Sequence, residues 1–130
     1  MFTNIKTSLD NKQIITDLTR KMGLGPENII ARLALAYSIS KNRVLNLADI
    51  KDSKGKEYSK NVLFGNYLTY YIALICQHYE LYKTDKDIPK YIKMHIDDGI
   101  ELLSKEYNKN RNVSGIEFVM DLVEKGLIKL

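Results

Sequence analysis

The two histidines are the side chains of this sequence with the widest choice of chemistry. His95 and Asp98 stand three positions apart, which places both on one face of a helix, and His78 precedes them on another apolar segment. Such a set could hold a metal ion and hydrolyse a substrate, but the HExxH spacing and the cysteine ligands of common zinc sites are missing. The spacing favours a structural pair, in which Asp98 orients His95 by hydrogen bonding. We therefore predict no metal and no catalytic residue, with a metal-dependent hydrolase as the rival.

Motifs for other catalytic chemistry are absent from the sequence. It contains no GxSxG nucleophile motif, no GxxxxGK(S/T) phosphate loop and no GxGxxG dinucleotide motif. The single cysteine, Cys76, lies in an apolar helical pattern, where a thiol usually packs as a small hydrophobic group. The sequence therefore predicts a protein that is not an enzyme and uses no cofactor.

Positive charge is concentrated in one polar segment. The net charge is +4, and residues 41–61 hold six basic and three acidic side chains, which is three of those four charges. Such a lysine-rich loop suits contact with DNA phosphates by a protein that reads shape, and a merely solvated loop is the alternative. Tyr58 in this segment is the tyrosine we expect to stack on unpaired bases. The predicted phosphate contacts are Lys51, Lys54, Lys56 and Lys60 in the loop, with Arg20, Lys21, Lys41 and Arg43 near the ends of the first two helices.

Apolar periodicity predicts a mainly α fold with about five helices. A short extended segment at residues 3–8 precedes them, and the helices are expected at about 10–22, 26–40, 66–82, 87–107 and 114–125. The third helix is apolar around most of its girth, which predicts either a buried central position or a helix shared between subunits. Gly99 lies inside the fourth helix, where glycine costs about 1 kcal/mol relative to alanine, so it marks a packing site that a neighbouring helix or a bulky side chain such as a tyrosine approaches closely.

The order of the first forty residues also fits a ribbon-helix-helix element. In such proteins the strands of two chains pair and enter the major groove of DNA. Phe2, Ile5 and Leu9 do not keep a strict period of two, so an ordinary helical hairpin is the equal alternative. A repressor of this type would read base edges with Asn4, Lys6 and Ser8.

Length and composition predict a single domain over residues 1–130. The chain is 45% apolar and 28% charged, with two prolines and no internal repeat. Its longest apolar stretches are far short of the ~20 residues of a membrane span, and its N-terminus lacks the pattern of a signal peptide. We expect a soluble, cytoplasmic protein without membrane contact.

Three ordered landmarks give the sequence a resemblance to the DndE family. They are Leu63-Phe64-Gly65 after a lysine-rich approach, the run Ala73-Leu74-Ile75-Cys76-Gln77-His78-Tyr79, and the stretch from Tyr91 to Leu103 around His95-Ile96-Asp97-Asp98-Gly99. The resemblance extends from about residue 3 to about residue 106 and leaves the last two dozen residues unmatched.

This resemblance implies a function for the chain. DndE is the small subunit of bacterial DNA phosphorothioation systems, in which sulfur replaces a non-bridging oxygen of the DNA backbone. The chain would then be an accessory subunit that binds DNA, preferably nicked duplex, without sequence specificity. A homo-oligomer, a tetramer, is implied as well, and so is docking to other subunits of the phosphorothioation complex, which would carry out the chemistry. The alternatives are the ribbon-helix-helix repressor and a non-catalytic assembly scaffold that holds partners through the tyrosine-rich third helix.

Overall fold

The structure is a computed structural model that describes residues 2–109 and 113–128. Its strands are β1 (Asn4–Lys6) and β2 (Glu57–Ser59), and short 3-10 turns occupy Leu47–Asp49 and Gly65–Tyr67. The helices are α1 (Asp10–Met22), α2 (Glu27–Ser40), α3 (Lys60–Phe64), α4 (Leu68–Tyr79), α5 (Ile88–Asn108) and α6 (Gly115–Ile128). The predicted mainly α fold is confirmed, and α3 is an additional short helix that the periodicity did not predict. Within the described residues, no helix is long and apolar enough to cross a membrane.

Local sequence explains several of the helix ends. Gly23 ends α1 in the left-handed conformation, with φ of 62°, which glycine adopts without steric cost. At the start of α3, the hydroxyl of Ser59 accepts the backbone N–H of Val62 at 3.2 Å. Ser114 caps α6 in the same way and accepts the N–H of Glu117 at 3.2 Å. These side chains satisfy backbone donors that the first turn of a helix leaves unpaired.

Helix α5 is the centre of the fold. Residues 92–97 are buried without interruption, including the polar side chains of Lys93, His95 and Asp97. Helix α2 is the main neighbour of α5, and these two helices contribute most of the completely buried apolar residues of the described chain. On α5 they are Ile92, Ile96, Ile100 and Leu103, and on α2 they are Ile30, Ala31, Ala34 and Leu35.

Of the two positions predicted for α4, the buried central one is wrong. Helix α4 buries only Ile72 and Ile75, while Tyr67 and Tyr70 beside them are 60% and 62% exposed. Tyrosine rings tolerate this because they combine an apolar face with a polar hydroxyl. The polar residues of α5 hid its burial, since they interrupt the apolar pattern and are accommodated by hydrogen bonds that sequence periodicity does not reveal. That α4 is shared between subunits stays a prediction.

The strand β1 pairs inside its own chain. It runs antiparallel to β2, with Asn4 opposite Ser59, Ile5 opposite Tyr58 and Lys6 opposite Glu57. The ribbon-helix-helix prediction is therefore wrong for this chain, because that architecture pairs the strand with its copy in a second chain. The segment that follows α2 supplies the partner strand, and the polar loop is correspondingly shorter than the predicted residues 41–61.

Gly99 should be intolerant of a side chain, because α2 and α5 cross there in backbone contact. A Cβ at this position would lie 1.8 Å from the carbonyl oxygen of Ala34. We expect Gly99→Ala to lower the free energy of unfolding by about 1–3 kcal/mol, despite the better helix propensity of alanine. Urea unfolding measures this, and Gly126→Ala is the matched control, because a Cβ there meets nothing within 4 Å. Equal stability of wild type and the Gly99 variant would contradict the close approach.

Candidate nucleic-acid interface

A chain of hydrogen bonds joins α2, α4 and α5 at His95. The hydroxyl of Ser38 lies 2.8 Å from His95 Nδ1 and 2.6 Å from Asp98 Oδ2. On the other side of the imidazole, the hydroxyl of Tyr79 lies 2.6 Å from His95 Nε2 and accepts the backbone N–H of Leu45 at 3.0 Å. Ser38 and His95 are completely buried. The chain of bonds therefore runs through the interior and ends in the segment that follows α2.

The chemistry of its members fixes the direction of every bond in this chain. An ionised Asp98 can only accept, so Ser38 donates to it and in turn accepts from His95 Nδ1–H. His95 Nε2 then carries no hydrogen and accepts from Tyr79. Burial, with a smaller contribution from His78, lowers the pKa of His95 to about 4, so the ring is neutral at pH 7. One tautomer of a neutral imidazole satisfies all the partners.

Arg43 attaches the basic segment, residues 41–56, to this chain of hydrogen bonds. Its Nη2 donates to Asp98 Oδ1 at 2.8 Å and its Nε donates to Asp98 Oδ2 at 3.2 Å. Burial alone would raise the pKa of Asp98, but the hydrogen bonds from Arg43 and Ser38 outweigh burial and hold that pKa below its ordinary value. His78 Nε2 lies 2.6 Å from the backbone oxygen of Arg43. The start of the segment is thus held through both side chain and backbone.

The other end of the basic segment is held against the β1–α1 junction. The backbone N–H of Thr7 donates to the carbonyl oxygen of Lys56 at 2.8 Å. The carboxylate of Asp52 accepts the backbone N–H groups of Leu9 and Lys54, each at 3.0 Å. The segment from Lys41 to Lys56 therefore has an anchored beginning and an anchored end.

Asp97 fixes that junction to the central helix. Its Oδ1 accepts the backbone N–H of Ser8 at 3.0 Å and the side-chain amide of Asn11 at 2.9 Å. Its Oδ2 accepts Nζ of Lys93 at 2.7 Å, and both charged side chains are almost fully buried. Asp97 and Asp98 are neighbours in sequence, so one turn of α5 holds both ends of the basic segment. Lys51, between those ends, bonds to Glu101 one turn further along.

Half of the eight predicted phosphate contacts form ion pairs with this protein's own carboxylates. These pairs are Arg43 with Asp98, Lys51 with Glu101, Lys56 with Glu27 at 3.7 Å, and Arg20 with Asp17 at 3.6 Å. The other four, Lys21, Lys41, Lys54 and Lys60, form no ion pair within the described residues.

The structure does not gather all eight residues at one place. Arg43, Lys51, Lys54, Lys56 and Lys60 follow one another along the anchored segment and the first residue of α3, and Lys41 ends α2 directly before it. Arg20 and Lys21 lie in the last turn of α1, whereas Asp52 bonds to Leu9 at the start of that helix. The length of α1, roughly 17 Å between those points, separates them from the segment.

Tyr58 is placed differently from its predicted role. It is only 7% exposed, and its hydroxyl donates to Glu27 Oε1 at 2.5 Å. Burial and the bond to Glu27 raise the pKa of the phenol above its ordinary value. The alternation of β2 turns Tyr58 inward and its two neighbours outward. The ring therefore presents no free face to a base, which corrects the stacking prediction. Tyr82, in the loop before α5, is 86% exposed, and the sequence analysis did not name it as a candidate for stacking on bases.

The histidine cluster also differs from its prediction in one respect. Ser38 stands between His95 and Asp98, so Asp98 orients the imidazole through a relay and not by a direct bond. Sequence reasoning missed Ser38 and Tyr79, whose only signal is a hydroxyl group within an apolar helical stripe. In the part of the chain that the structure describes, no group of three histidine, cysteine, aspartate or glutamate side chains could hold a metal ion.

Fold and site together define a small helical protein that presents an anchored basic segment on its central helix. Residues 4–111 match the family described as DNA sulphur modification protein DndE, and the chain belongs to this family. Its fold is similar to that of DndE from Escherichia coli B7A, described as involved in DNA phosphorothioation modification, with a TM-score of 0.64 and 21% identity over 79% of this chain and 98% of that one. A DndE mutant with two glycines changed to lysine gives a TM-score of 0.66 and 23% identity over the same shares. No curated protein sequence matches this chain.

Family membership assigns the chain a role in DNA sulfur modification. The resemblance predicted from the three sequence landmarks is confirmed, and its expected extent of about residues 3 to 106 is close to the matched region. Helix α6 lies beyond that region.

The buried, neutral His95 should make stability depend on pH. In the unfolded chain its pKa is about 6.5, and in the fold it is about 4, so only the unfolded state takes up a proton between these values. The free energy of unfolding should therefore fall as pH decreases from about 6.5 to about 4, by up to ~1.4 kcal/mol per pH unit. Urea unfolding at several pH values measures this, and a His95→Gln variant should lose part of the dependence. An NMR titration of His95 with a midpoint near 6.5 would contradict the account.

Proposed function

We propose that this protein is a DNA-binding accessory subunit of the cytoplasmic DNA phosphorothioation machinery, and that it is not itself an enzyme. The observation that carries the proposal is the anchored basic segment. Lys54 lies on it, and Lys60 follows it after β2 at the start of α3; neither forms an ion pair within the described residues. Lys41 stands at the start of the segment, with its ammonium 5.2 Å from the ring centroid of Tyr37. Membership of a DNA sulfur modification family makes DNA the polyanion that suits this surface.

The proposed contacts are with phosphates, which confer affinity without reading sequence. Lysines without internal partners contribute most, because binding a phosphate does not require them to leave a carboxylate. Arg43 and Lys51 keep about half of their side-chain surface exposed, 47% and 41%. They can therefore add to the positive electrostatic potential of the surface while their ion pairs hold the segment. Arg20 and Lys21 would form a separate, smaller contact at the end of α1.

Preference for nicked duplex fits a rigid surface of this kind. A nick makes DNA bend more easily. A preformed set of cations can then contact more phosphates, because the DNA backbone bends to follow the protein surface. In an oligomer, several copies of the segment would act together and multiply individually weak contacts. The sulfur chemistry would take place on other subunits of the phosphorothioation complex. This chain would deliver DNA to them or hold it in place.

Loss of Lys54 and Lys60 should weaken binding and flatten its dependence on salt. Each phosphate contact contributes about −0.9 to the slope of log K against log salt, so Lys54→Gln with Lys60→Gln should reduce the slope by roughly 2 per chain. Fluorescence anisotropy of labelled nicked duplex across a salt series measures both quantities. The matched control, Lys109→Gln with Lys125→Gln, removes the same charge from two lysines that contact Glu106. Equal loss in both variants would indicate an effect of net charge and not of the anchored segment.

A second feature supports the homo-oligomer, which we propose to be a tetramer. Tyr67 and Tyr70 of the α4 region are exposed beside Arg32, whose guanidinium carbon lies 5.9 Å from the ring centroid of Tyr67. This face contains no carboxylate in the groove that it shares with α2. Aromatic rings and arginine are the side chains enriched at protein interfaces.

Replacing the two exposed tyrosines should dissociate the oligomer. Tyr67→Ser with Tyr70→Ser removes apolar surface that the monomer does not bury, so folding should be retained while self-association weakens. Sedimentation velocity gives the mass, and Tyr82→Ser, at a tyrosine that is 86% exposed in another loop, is the control. A wild-type protein that sediments as a single chain at micromolar concentration would count against the tetramer. Undetectable DNA binding at low salt would favour the alternative of a non-catalytic assembly scaffold.

A further inference from the structure

Helix α6 follows the region that matches the family, yet its first turns are firmly docked. Gly115 approaches α1 so closely that a Cβ would lie 1.9 Å from the carbonyl oxygen of Met22. Phe118 is 2% exposed, and its ring meets that of Tyr107 edge-on with centroids 5.1 Å apart. Because both contacts are backbone-close or buried, the helix is presented in a defined orientation.

The outer side of α6 carries an apolar stripe. Ile116, Met120 and Val123 are 63%, 63% and 57% exposed, and their spacing of four and then three residues aligns them along one face. Val123 also borders a groove of about 560 Å³ between α6 and α2. The apolar walls of this groove are completed by Val119 and Leu122 of α6 and by Leu33, Ala36 and Tyr37 of α2, and its polar lining consists of Ser40, Lys41, Glu106 and Lys125. Stripe and groove thus form one continuous, mostly apolar surface.

One long edge of this surface is acidic. With about 100° of rotation per residue, Glu117, Asp121 and Glu124 project along the side of the stripe that lies away from the groove. All three are exposed, and none of them forms an ion pair within the described residues. Lys125 points toward the body of the protein, with its ammonium 4.0 Å from Glu106. The edge therefore keeps its negative charge.

This charge argues against a second copy of α6 as the occupant. In an antiparallel pair joined by these stripes, the acidic edge of one helix would face the acidic edge of the other, and like charges across an interface are costly. In a parallel pair, each acidic edge would face the mostly apolar groove of the other copy, where Lys125 is already paired with Glu106. Three carboxylates would lose water there, Glu106 would add like charge, and Lys41 alone among the groove-lining lysines would be left to partner them.

We propose that the stripe and groove of α6 bind an amphipathic helix of a different protein, one whose apolar face is bordered by lysine or arginine. An apolar helix laid in a groove between two helices is an established mode of peptide recognition. The basic border would face Glu117, Asp121 and Glu124 and set the direction in which the helix lies. This function shares only Lys41 with the anchored basic segment, because the rest of the segment does not line the groove.

Two synthetic helical peptides test the proposal with the full-length protein and no DNA. Both carry the same leucine stripe, bordered by lysine in one and by glutamate in the other, and a third peptide has the lysine sequence scrambled. Anisotropy of the labelled peptides should give the lysine peptide an affinity at least about tenfold higher than either of the others. Equal affinity for all three, or no binding of the lysine peptide, would overturn the proposal.

Two variants locate the binding. Ile116→Ser with Met120→Ser and Val123→Ser changes only exposed positions and should abolish binding of the lysine peptide. Glu117→Lys with Glu124→Lys should reverse the preference toward the glutamate peptide, which decides the matter even if the serine variant fails to fold. If sedimentation shows that the wild type associates through α6 and the serine variant does not, the occupant is a second copy and the proposal is overturned.

Discussion

Two adjacent carboxylates on the central helix must each find partners away from water, and the placement of the basic segment follows from that requirement. Asp98 accepts from Arg43 and Ser38, while Asp97 accepts from Ser8, Asn11 and Lys93. Neighbouring residues of a helix differ in direction by about 100°, so the two side chains reach different parts of the protein. One holds the start of the segment and the other holds the junction to which its end is bonded. Removing either carboxylate would leave buried or partly buried donors unsatisfied.

His95 links these carboxylate contacts to hydrogen bonds that join three helices. Since burial keeps its ring neutral, one nitrogen donates and the other accepts, and a single tautomer connects Ser38 of α2 with Tyr79 of α4. Tyr79 in turn receives the N–H of Leu45, so the loop after α2 is held by the same network. A segment fixed in this way loses little conformational entropy when it binds a ligand. The buried network therefore fixes the segment that carries the lysines proposed to contact DNA.

Much of this architecture could be predicted from sequence, and the remainder depends on long-range contacts. Periodicity identified the five longer helices, and Gly99 indicated a close helix crossing that the structure confirms at Ala34. It failed for the central helix, because the buried polar residues of α5 resemble a solvated face until their partners are known. Ser38 and His95 are 57 positions apart, and no local pattern links them. The basic segment was visible as composition, but its division into paired and unpaired cations required coordinates, as did the burial of Tyr58.

The central claim is that this protein binds the DNA backbone by shape and charge. The most direct test is equilibrium binding of the wild-type protein to nicked, intact and single-stranded DNA of two unrelated sequences, each over a salt series. The account predicts tightest binding to the nicked duplex, a steep decrease with salt and the same affinity for both sequences. Undetectable binding to every form at low salt would contradict it, and a strong preference for one sequence would contradict binding by shape and charge alone.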